Sequence, residues 1–136
     1  MTQPSMAPTP LCDCAALGAL DPVLREHGAA SGRLVALTDE GMLCVIDSWP
    51  HDCSDRTCLG HVWTDAEWSF FLQGFAAYGP LHHVSTEGHA VIPVVDEGLL
   101  WGAVVVDPGD GCPNAIAAAV QPHVDGLVDA VRTQAE

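Results

Sequence analysis

The sequence predicts an α+β domain, with a single antiparallel sheet, terminal helices on one face and a loop-helix layer on the other. Three observations carry this. The apolar runs come in two pairs, each joined by a short turn containing glycine (Asp39-Glu40-Gly41 and Asp96-Glu97-Gly98), which is the mark of hairpins. Helical spacing of apolar residues falls at the two ends of the chain and once between the pairs. The chain has 136 residues, 49% of them apolar and 16% charged, which makes one domain able to bury roughly two-thirds of its unfolded surface.

Taken in order, residues 1–11 read as a disordered leader rich in Pro, Thr and Ser, and residues 12–136 as the domain. Leu17, Leu20 and Leu24 at helical spacing predict a helix over 13–28, with Asp21 as an N-cap before Pro22 and an irregularity there. Gly28 and Gly32 then punctuate the chain. Strands are expected over 34–38 and 42–49. Residues 50–61 are polar and aperiodic, a loop. Thr64 and Glu67 have capping-box spacing, and Trp68, Phe71, Leu72 and Phe75 give the next helix one apolar face. Gly79-Pro80 ends it, and a short edge strand is expected over 81–84. Residues 89–95 and 99–107 form the clearest hairpin. Ile116, Val120, Leu127 and Val131 define a last helix over 113–132, which Pro122 should kink by removing a donor and crowding the preceding turn.

Charge narrows the function classes. Lysine and arginine together number 4 against 18 acidic residues, for a formal charge of -14, and all four cations are arginines. Nucleic-acid backbones and anionic membrane surfaces require basic groups that this chain lacks, so neither is expected as a partner. Lysine Schiff-base chemistry and a Walker-type phosphate loop are excluded. No stretch of 18 apolar residues occurs and the N-terminus has no signal-peptide pattern, so a cytoplasmic address is expected. Six cysteines in that compartment indicate free thiols, metal ligands or redox chemistry rather than structural disulfides.

The element order, and above all the stretch GHAVIPVVDEGLLWGAVVV at 88–106, resembles a small GAF domain. An apolar strand ending in a proline, a turn, and a second strand with a Trp-Gly-Ala step resemble the family's hairpin. Residues 113–135 resemble its closing helix. PAS-like and profilin-like sheets share the pattern. The resemblance implies a ligand pocket whose floor is the sheet and whose lid is roughly residues 50–88, with a regulatory role and dimerisation through terminal helices. One enzymatic branch of the family reduces free methionine sulfoxide with lid cysteines. This chain departs from that branch in lid length and has His89 where a third cysteine is expected.

The sharpest local motif is H-x-C-x4-C-x2-H, formed by His51, Cys53, Cys58 and His61. Thiolates and imidazoles are the ligand set of zinc, iron or copper(I). A transition metal, zinc or iron, is therefore an expected cofactor, drawn also by the negative field of the chain. The same segment supports thiol redox chemistry. Arg56 lies between the two cysteines and favours the thiolate, so Cys53 and Cys58 are the alternative catalytic pair, one attacking and one resolving. A loop with no chemistry is the third reading. Cys12 and Cys14 are exposed thiols, or further ligands if the leader folds back. Cys44 reads as a small core hydrophobe, and Cys112 as a residue at the mouth of the last helix. His82, His83 and His89 are candidate ligand contacts or partly exposed imidazoles, while His27 and His123 read as surface groups. Trp49 and Trp63 flank the Cys/His loop and are candidates for lining a cavity, as an apolar pocket with a few polar groups requires. Trp68, Phe71 and Phe75 are expected to pack the helix on the sheet, within an aromatic stretch that includes Phe70 and Tyr78. The acidic pairs at 39–40 and 96–97 read as solvated turns. The expected function is sensing of a small molecule or metal ion, in a protein that forms a homodimer through its terminal helices.

Overall fold

The computed structural model describes residues 17–38, 41–49, 64–79, 81–85 and 87–135. The leader, Cys12, Cys14, His51, Cys53, Arg56, Cys58, His61 and Trp63 lie outside the described residues. A 3-10 turn, Leu17–Leu20, runs into α1, Asp21–Glu26. Asp21 does not cap the helix. Leu20 holds the N-cap position, Pro22 falls in the first turn where its missing N–H is not needed, and no side chain caps. The Asp21 carboxylate is engaged elsewhere. Its Oδ1 accepts from Arg25 Nε at 2.8 Å and from Trp49 Nε1 at 2.8 Å.

Among the described residues five strands succeed α1, interrupted by one helix. They are β1, Ser31–Leu37; β2, Leu43–Trp49; then α2, Asp65–Tyr78; then β3, His83–Val84; β4, Ala90–Asp96; and β5, Leu99–Asp107. The sheet is antiparallel throughout, in the order β2-β1-β5-β4-β3. β1 begins earlier than expected and runs through Gly32, because the pairing with Val106 and Trp49 on either side holds the glycine extended. β4 runs through Pro93 as expected and is offset from the expected 89–95 by one residue at each end. β3 pairs only with Val91 and Ala90, so the rest of β4 has β5 as its one partner among the described strands.

The final helix is broken, not merely kinked. α3, Pro113–Val120, stops, a 3-10 turn covers Gln121–His123, and α4 resumes over Val124–Ala135. Pro122 sits inside the turn, where the lost donor ends one ladder and the next begins. Ile116, Val120 and Leu127 are buried and Val131 packs against the same layer, as their spacing predicts.

Strand alternation sorts the core into two layers. On one face Leu34, Ala36, Ile46, Trp49, Ile92, Val104 and Val106 meet Leu17, Leu20 and Leu24 and the apolar stripe of α3 and α4. That stripe is therefore turned onto the chain's own sheet. On the other face Val35, Leu43, Val45, Val91 and Ala103 meet Phe71, with Phe75 and Leu37 partly buried beside them. Phe71 and Phe75 stack with ring centroids 6.1 Å apart. Leu72, expected on this face, is exposed along with Phe70. Leu72 is rotated about 100° from Phe71 around the helix, and the contact face is narrow enough to leave it out. The arrangement is an α+β domain with terminal helices on one side of the sheet and α2 on the other. Among the described residues no helix is long and apolar enough to cross a membrane.

Candidate functional site

The face of the sheet that carries α2 is built from register. Ser48 pairs with Arg33, Arg33 with Val105, Val105 with Val91, and Val91 with His83. Side chains of paired residues share a face, so these five, one from each strand, form a row across the sheet opposite the terminal helices. One step along the strands lie Val35, Val45 and Ala103, closed over by Phe71. The row itself changes character along its length. Arg33 is exposed, Ser48 and Val105 are half-buried, and Val91 and His83 are buried.

His83 owes its burial to Gly74 of α2. A methyl group built on Gly74 would overlap the His83 ring, so the glycine provides the space the imidazole fills. Burial pushes the His83 pKa below the usual histidine range, reinforced by the neighbouring His82 and opposed by a hydrogen bond with the Leu81 backbone. His82 turns elsewhere. Its backbone N–H donates to Gln121 Oε1 at 3.1 Å, and its ring Nδ1 lies 3.1 Å from the same oxygen, tying the entrance of β3 to the turn between α3 and α4. His89 is half-buried just before β4. Its N–H donates to Ser85 Oγ, and its Nδ1 lies 3.8 Å from Glu87 Oε1. The three histidines thus have three different surroundings.

Trp49 stands on the helix side. Its ring is buried in the terminal-helix layer, with the Arg25 guanidinium 5.7 Å from the ring centroid and the indole N–H held by Asp21. It does not line the α2 side, because an indole N–H leaving water needs an acceptor and Asp21 supplies one across the chain. The indole is also the first cause, before Arg25, of the lowered Asp21 pKa.

Cys44 is buried in β2 as expected, and burial pushes its thiol pKa up. Cys112 is exposed at the N-cap of α3 without capping it through its side chain. Among the described residues no three or more His, Cys, Asp or Glu side chains gather to hold a metal ion. The expected ligands His51, Cys53, Cys58 and His61 fall outside the described residues, as do Trp63, Cys12 and Cys14, and so do the side chains of Trp68 and Tyr78. β2 ends at Trp49, and the next described residue is Thr64, ahead of α2 on the opposite face from the terminal helices.

Three residues escaped sequence reasoning. Asp47 is fully buried in β2; its Oδ2 accepts from the Leu17 N–H and its Oδ1 from the Ser48 N–H, each at 2.9 Å. A carboxylate directly after the apolar run Cys44-Val45-Ile46 and within the expected strand was its only signal. Arg33 was visible as one of four cations, and Gly74 as a glycine inside a helical pattern.

Comparison with protein-family models and with curated proteins gave no match. Comparison with solved structures gave the crystal structure of the GAF-B domain of DevS from Mycobacterium smegmatis, at a TM-score of 0.55 and 16% sequence identity, over 91% of this chain and 92% of that one. The fold of this chain is GAF-like.

Proposed function

We propose that this chain is a GAF-like sensory domain that holds a small molecule or metal ion between the sheet and the lid formed by residues 50–88. The observation that carries the proposal is the unequal treatment of the two sheet faces. The helix side is closed by an apolar layer that admits the Asp47 carboxylate only with both its oxygens hydrogen-bonded to backbone N–H groups. The other side is covered through Phe71 in its middle, while the row from Ser48 to His83 brings ionisable groups onto an apolar floor. A pocket for a small ligand has this composition. Binding shifts the lid toward its ordered state by no more than the ligand's preference for that state.

Within this reading His51, Cys53, Cys58 and His61 are the first-choice metal ligands, on the strength of their spacing. Elemental analysis of protein purified without chelator tests them. Stoichiometric zinc or iron that disappears in the Cys53→Ser/Cys58→Ser variant supports the metal site, and metal-free native protein removes it.

The placement of Arg56 between Cys53 and Cys58 favours a second reading, a thiol redox switch or enzyme. Peroxide would oxidise one thiolate to a sulfenic acid with loss of water, and the second thiol would displace water to close a disulfide. Loss of two titratable thiols on peroxide treatment, restored by a dithiol reductant, supports this reading. Unchanged thiol content overturns it.

A further inference from the structure

We propose that the ligand of the lid-side face is an organic anion, a carboxylate, sulfonate or phosphate ester on a small apolar body, with its charged group held by Arg33. This rests on the pocket reading above and names the chemistry of its occupant.

Three observations meet at Arg33. It lies on β1, an inner strand flanked by β2 and β5, on the face opposite the terminal helices. Its cross-strand neighbours are Ser48 and Val105, with Val35 two residues along the same face. An arginine on a solvated sheet face is stabilised by an opposite charge set across from it. Here no carboxylate stands directly opposite it, although the chain carries 18 of them; Asp107, opposite Ser31, is at the diagonal. Finally, Arg25 is committed to Asp21, whereas Arg33 makes no ion pair among the described residues. Its surroundings on that face are Ser48, Val105, Val35 and Ser31, with Asp107 at the diagonal, and in a chain of net charge -14 a guanidinium that makes no ion pair there is a local reversal of the field.

The guanidinium matches carboxylate, sulfonate and phosphate oxygens with paired N–H donors. The row then supplies the rest of the site. From Arg33 it passes to Val105 and to buried Val91. Two strand steps of about 4.8 Å give an apolar floor of about 10 Å, the length of one or two fused rings, its far end at Val91 lying within the cluster that Phe71 closes. Ser48 places a hydroxyl beside the charged end.

The test uses two fluorescent probes of similar apolar body, anilinonaphthalene sulfonate and uncharged phenylnaphthylamine, titrated into the full chain. The sulfonate is expected to bind saturably at one site per chain. Arg33→Met, which keeps an aliphatic stem, is expected to weaken it roughly tenfold or more, and Arg33→Lys less. Binding of the uncharged probe is expected to change little in either variant. In the native chain, raising the salt from about 0.05 M to about 0.5 M should weaken the sulfonate probe alone. Thermal unfolding of each variant checks that it is folded, and the salt series on native protein stands if one is not. If both probes bind and neither Arg33→Met nor salt weakens the sulfonate, the anion assignment falls while the pocket survives. If neither probe binds the native chain, pocket and anion site fall together.

Discussion

His83 and Gly74 favour the neutral form of one imidazole where α2 sits on the sheet. The imidazole is buried in the space the glycine leaves, and its pKa lies below the ordinary histidine value of about 6.5. The unfolded chain therefore takes up a proton on His83 before the folded chain does. The stability contributed by the neutral ring is whole above the unfolded pKa. It declines as pH falls through that value and levels off below the depressed folded one. Urea unfolding from about pH 7.5 to about pH 5 is expected to show native stability falling faster than that of His83→Gln; equal slopes would remove His83 as the cause. At this scale the sequence was legible where one physical force acts alone. Cys44 and Phe71 could be placed inside from their apolar runs. Trp49 could not, because its partner Asp21 stands 28 residues away and only the folded chain brings the pair together.

The β4–β5 hairpin turns on Glu97 and Gly98, with φ of 53° and 84°, and Asp96 pairs with Leu99 across them. Two successive residues at positive φ form the turn whose twist suits a two-residue hairpin. Gly98 adopts that geometry freely, but Glu97 pays for its Cβ, and asparagine is the better tolerated residue there. Replacing Glu97 with Asn is expected to stabilise the protein by about 0.5–1 kcal/mol, read as a higher urea midpoint at unchanged slope. A lower midpoint would mean that the glutamate has a stabilising role its exposed position does not suggest. Both hairpins were legible from apolar runs and turn residues, because those signals are local. The start of β1 was not, since Gly32 resembles a break until the strands on both sides are in place. Pro122 was legible as a disturbance but not in its extent, because whether a proline bends or stops a helix depends on what the next turn packs against.

Over the whole molecule, a charge of -14 on 136 residues sets carboxylates against one another in the compact state. Screening relieves this repulsion, so the thermal midpoint is expected to rise by about 2–5 °C between about 10 mM and about 300 mM sodium chloride. A flat or falling midpoint would show that the charges are already compensated locally. Composition and periodicity revealed the layer order of the fold, terminal helices on one side and α2 on the other. They did not reveal the row from Ser48 to His83, because a face is assigned by register, and register depends on the bulges at Leu34/Val35 and Val94/Val95. The short β3 has an effect of its own on how the protein behaves when concentrated. Beyond Ala90 and Val91 the outer margin of β4 is left without a described strand, an invitation to a neighbouring molecule's backbone. Pro93 stands in that stretch and has no amide hydrogen to offer, so the margin cannot template a continuous ladder of hydrogen bonds with a second molecule.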